Sequence, residues 1–93
     1  MVHYRRIRLE GGTYFFTVTL ADRRARVLTD HVDLLRSVLR RVQTARPFAI
    51  VAMVVLPDHL HAIWTLPAGD ADYSGRWRAI KAGLTRELVT SGL

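Results

Sequence analysis

With 93 residues, 49% of them hydrophobic, this chain can fold as one small domain at most. No apolar run approaches the ~20 residues of a membrane-spanning helix, and the absence of cysteine excludes disulfides and thiolate metal sites. Lys and Arg number 14 against 8 acids, a net charge of +6, and every basic residue but Lys81 is an arginine. A small domain this basic suits a polyanionic partner, although charge alone fits an arginine-rich genome equally well.

Residues 1–12 read as a basic arm ending in the turn Gly11-Gly12. No apolar segment follows its charges, so it is not a secretory signal, and the cytosol is the simplest compartment. Arg5, Arg6 and Arg8 on this arm are candidates for contact with nucleic-acid phosphates. Residues 13–20 alternate, with Tyr14, Phe16, Val18 and Leu20 on one face and Thr13, Phe15, Thr17 and Thr19 on the other. β-Branched and aromatic residues in that pattern predict a strand. Residues 21–27 read as a basic loop, where Arg23, Arg24 and Arg26 are further phosphate candidates.

Thr29 or Asp30 can cap a helix running to about Ala45. Its apolar stripe is Val32, Leu35, Leu39 and Val42, spaced by three and four, and Pro47 stops it. Residues 48–56 are almost uniformly apolar, as in a central strand covered on both faces. Pro57-Asp58 breaks that strand. Proline cannot take the positive φ of the tightest hairpin turns, so a longer turn built on a type I bend is expected. Residues 59–66 form the antiparallel neighbour. Residues 67–73 are a loop. Ser74 can cap a second helix with the stripe Trp77, Ile80, Leu84 and Leu88. Arg76, Arg78, Lys81 and Arg86 decorate its other face, and the first three would strengthen the positive end of the helix as a phosphate site.

The order β-α-β-β-α predicts an α+β fold, an antiparallel sheet with helices on one face. It is five of the six elements of a ferredoxin-like βαββαβ unit, without the final strand. That leaves an open sheet edge, through which a homodimer could form.

His59 and His61 are the most informative residues. On a strand, positions two apart share a face. The two imidazoles would stand side by side, able to share one metal ion or one phosphate. The bland alternative is a pair of half-exposed strand histidines bonded to neighbours. Asp58 either orients a ligand imidazole or stabilises the turn with Pro57. Trp64 and Trp77 could stack on bases, but both lie on apolar faces and are expected in the core. Tyr73 is expected to pack the loop against the helix N-terminus.

Three stretches carry a resemblance. They are residues 11–20, the run Val54-Val55-Leu56-Pro57-Asp58-His59-Leu60-His61-Ala62-Ile63-Trp64, and Gly69-Asp70-Ala71-Asp72-Tyr73-Ser74 followed by Arg76-Trp77-Arg78 and Ile80-Lys81. In this order, from about Tyr4 to the C-terminus, they resemble the REP-associated tyrosine transposases, part of the wider HUH class of single-stranded-DNA transposases. The resemblance implies that His59 and His61 bind a divalent metal, Mg2+ or Mn2+. It implies single-stranded or hairpin DNA as the partner, nucleoid-associated in the cytoplasm, and a tyrosine that attacks phosphorus to leave a 5′-phosphotyrosine. It also implies that this nucleophile lies on a helix beyond Leu93, so that no catalytic nucleophile is present here. The expectation is a C-terminally truncated member, its alternative a non-catalytic DNA-binding remnant.

Overall fold

The computed structural model describes the backbone of Val2 and His3, residues 10–21 and residues 24–92. Its elements are β1 (Val2–His3), β2 (Thr13–Thr19), α1 (Val27–Asp30), α2 (Val32–Ala45), β3 (Ala49–Val55), β4 (His59–Thr65) and α3 (Tyr73–Thr90). The α+β class matches the expectation, and β2, α2, β3, β4 and α3 follow the expected order. The strands form one antiparallel sheet in the order β1-β2-β4-β3.

The alternation in β2 and β4 decides which face is covered. Phe16 and Val18 on β2, with Leu60, Ala62 and Trp64 on β4, point under the helices and are buried. Trp64 and Trp77 stack at 4.4 Å between ring centres, with Phe16 edge-on to both, and Tyr73 packs against Phe16 and Tyr14. Both tryptophans are therefore core residues. Leu35, Val38, Leu39 and Val42 bring α2 down onto the same core.

Four expectations need correction. First, β3 is an edge strand, not a central one. Its inward residues Ile50, Met53 and Val55 pack on the core, but Val51 and Val54 are 61% and 56% exposed. A run apolar on both faces does not guarantee burial of both, because exposed apolar residues are common. Second, the edge expected to be bare carries a short strand. Val2 and His3 pair with Val18 and Thr17, so the fourth strand comes from the N-terminal arm. Third, the first helix is broken at His31, and neither Thr29 nor Asp30 caps α2. Fourth, α3 is capped by Asp72 rather than Ser74: its carboxylate accepts from the Gly75 N–H at 3.0 Å. The Pro57-Asp58 bend closes with no positive φ, the Leu56 N–H donating to the His59 carbonyl.

Where α3 crosses α2, Gly83 is buried, and a Cβ there would lie 2.9 Å from Val38 Cγ1. Val38 is itself buried and has little room to yield. Replacing Gly83 by alanine is therefore expected to destabilise by ~1 kcal/mol, the overpacking cost exceeding the ~1 kcal/mol gain in helix propensity. Chemical denaturation of the two proteins checks the sign.

Candidate metal centre and nucleic-acid interface

The sheet has one covered face and one open face. The open face carries Thr13, Phe15, Thr17 and Thr19 from β2 and His59, His61, Ile63 and Thr65 from β4. β4 lies between β2 and β3, so the histidines are central in the sheet, and the register sets Thr17 opposite His61 on one side and Val54 on the other.

The two rings stand 5.2 Å apart, nearly perpendicular. Each has its Nδ1 engaged. His59 Nδ1 is 2.8 Å from Asp58 Oδ1, and His61 Nδ1 is 3.1 Å from Thr17 Oγ1. An ionised carboxylate only accepts, so the proton of that pair sits on His59 Nδ1 and the neutral ring offers Nε2 as a ligand. Thr17 can accept from His61 in the same sense. Second partners of this kind hold metal-ligating imidazoles in orientation. Of the two roles considered for Asp58, the geometry supports the orienting one. The Asp58 and His59 side chains are only 16% and 25% exposed, so water competes weakly for that bond. The imidazoles thus fit a divalent ion as a two-ligand set. No group of three His, Cys, Asp or Glu side chains occurs among the described residues, so a bound ion would complete its shell with water or phosphate oxygens.

The basic candidates fall into three groups. Arg5, Arg6, Arg8 and Arg23 lie outside the described residues. Arg24 is exposed in the turn after β2, at the end of the sheet where the Leu20 N–H meets the Asp58 carbonyl. Arg78 and Lys81 line an open groove along α3 with Ser74, Thr85 and Arg86. That groove is on the helical side, across the sheet from the histidines, so the two sets of candidates are not brought together.

Arg76 is the exception and a correction. It is 2% exposed and cannot meet phosphate. Its Nε donates to the Arg46 carbonyl, Nη1 to Asp70 Oδ1 and the Asp72 carbonyl, and Nη2 to Asp70 Oδ2 and the Pro47 carbonyl. Every N–H of the guanidinium is used. It ties the α2–β3 and β4–α3 loops together at the end of the sheet away from His59. The hydrogen bonds from Arg76, then that from the Asp72 N–H, hold the Asp70 carboxyl at about 2, below its ordinary 3.8.

The described tyrosines are on the wrong side for the histidines. Tyr73 is core, and Tyr14 projects from the helical face of β2. Sequence reasoning missed Thr17 as a partner of His61 and Phe15 as its stacking neighbour. The alternation had already placed both on one face of β2, but only the inter-strand register shows which ring they touch.

No family model matches the chain. It is 53% identical over 85 residues to a REP-associated tyrosine transposase of Escherichia coli (strain K12), covering 91% of this chain and 52% of that protein. It is 41% identical over 88 residues to a putative REP-associated tyrosine transposase of Haemophilus influenzae, covering 95% and 50%. A solved structure of a REP-associated tyrosine transposase bound to a REP hairpin superposes with a TM-score of 0.88 at 51% identity, covering 95% of this chain and 53% of that one. The chain spans about half the length of the relatives it matches. Over nearly all of its residues, then, it belongs with the REP-associated tyrosine transposases.

Proposed function

We propose that this chain supplies the metal-binding and DNA-binding part of a tyrosine transposase acting on single-stranded or hairpin DNA. The observation that carries this reading is the pair of imidazoles on the open sheet face, each held through Nδ1 with Nε2 left for a ligand. A divalent ion there, Mg2+ or Mn2+, would neutralise charge developing on a scissile phosphate. Asp58 and Thr17 hold the rings in place. Arg24, Arg78 and Lys81 meet the DNA backbone, joined by Arg5, Arg6, Arg8 and Arg23. The absence of a tyrosine on the histidine face among the described residues favours binding without cleavage by these residues alone. The reading places the chain in the cytoplasm with the nucleoid; no helix among the described residues is long and apolar enough to cross a membrane. One edge available to a second copy is the outer edge of β3, with Val51 and Val54 exposed.

The test is binding to a fluorescent DNA hairpin with a single-stranded flank, measured from 50 to 200 mM salt. The affinity is expected to fall about tenfold or more over this range, and Arg78→Ala with Lys81→Ala to reduce the log–log slope by about 2. Affinity independent of salt would sink the electrostatic mode.

A further inference from the structure

The outward row of β2 is three threonines and one phenylalanine. Phe15 is 61% exposed, on a face that no helix among the described residues covers. Its ring lies 5.8 Å from that of His61 and nearly parallel, at 19°. Phe15, His61 and His59 thus form a file of rings across the open face. Ile63 faces Phe15 across the strand pair, and Val54 flanks His61 from β3. We propose that Phe15 is a stacking platform for a base of single-stranded DNA whose adjoining phosphate lies beside the His59–His61 pair. The proposal rests on the DNA-binding reading above and names the residue that positions the nucleotide.

The choice of occupant follows from the chemistry of the surroundings. The open face of β2, β3 and β4 carries no Asp, Glu, Lys or Arg side chain. Cations lie at its border, where Arg24 and Arg26 are exposed beyond the histidine end of β2, Arg26 with Asp30 at 3.9 Å. An apolar, aromatic centre with a cationic border matches a single strand, whose bases present apolar faces and whose phosphates carry the charge. A duplex offers no such face, because its bases already stack on one another. Exposed aromatics on the open face of small antiparallel sheets stack single-stranded bases in this way, whatever the base.

The experiment uses single-stranded oligonucleotides carrying 2-aminopurine or an abasic site at successive positions. Wild-type protein is expected to quench 2-aminopurine at one position and to lose about tenfold in affinity when that base is removed. Phe15→Leu, which keeps apolar bulk but no stacking plane, is expected to lose the same factor on the intact strand and to ignore the abasic site. Phe15→Trp is expected to keep full affinity. Because Phe15 is exposed, the Leu variant should unfold at the wild-type temperature, which separates contact from folding. Equal binding of intact and abasic strands by wild type, with salt dependence preserved, would overturn the stacking role and leave the DNA-binding reading standing. No binding by wild type at any salt would remove both. A Phe15-dependent dimer with unchanged DNA affinity would assign the patch to a second copy and overturn the proposal.

Discussion

Replacing Arg76 by alanine is expected to lower stability by about 3 kcal/mol and the melting temperature by more than ~12 °C. The substitution removes the side-chain donor to the carbonyls of Arg46, Pro47 and Asp72 and takes the guanidinium from Asp70. Removing one member of a buried ion pair costs about 3–5 kcal/mol, and the lower end applies because the Asp70 side chain is still 32% exposed. Lysine keeps the charge but has three donors on one nitrogen. It cannot reach the carboxylate and three carbonyls together, so Arg76→Lys should recover only part of the loss. Thermal unfolding by circular dichroism reads the effect; a melting point within about 2 °C of wild type would show that the guanidinium ties nothing together.

The same pair sets a pH dependence with a definite sign. Asp70 titrates at about 2 in the fold, against 3.8 ordinarily. Its ionised form therefore favours the folded state above about pH 4, and this contribution fades as pH falls from 3.8 through about 2. Allowing for the exposed third of the side chain, it amounts to about 1–2 kcal/mol. In Asp70→Asn that part of the acid destabilisation should disappear, and the variant should be less stable than wild type near neutrality.

The second large effect concerns the imidazoles. Wild-type protein is expected to bind Mn2+ weakly, since no group of three His, Cys, Asp or Glu ligands occurs among the described residues, and the double variant His59→Ala, His61→Ala to show no saturable binding. Calorimetric or spin-resonance titration distinguishes them; identical isotherms would mean that the histidines are surface residues of the strand. Asp58→Ala and Thr17→Val should each weaken Mn2+ binding about tenfold or more while leaving both ligands in place. Thr17→Ser restores the oxygen and should restore the affinity. A purely structural role for Thr17 predicts instead that valine, which is β-branched like threonine, behaves as wild type.

Much of this was legible along the chain. Period-two alternation located β2 and β4 and told which side of each faced the core. Spacing of three and four located α2 and α3 and placed Trp77 inside, as the alternation of β4 did Trp64. The spacing of His59 and His61 put both on one face of one strand, which is a local property of extended backbone. The motif around them pointed to the family that the relatives bear out.

Other features depend on segments distant in sequence and carry no local signature. An arginine at the start of a helix reads as a solvated charge. Arg76 is buried because two loops, from residues 46–48 and 70–72, arrive at the same place and present a carboxylate and three carbonyls. The apolar run of β3 reads as central, yet the order β1-β2-β4-β3 sets it at an edge. The sequence by itself determined which strand bears the imidazoles and which way they point. Only the tertiary structure decided what holds them, because Thr17 meets His61 through a strand register that periodicity within either strand leaves free.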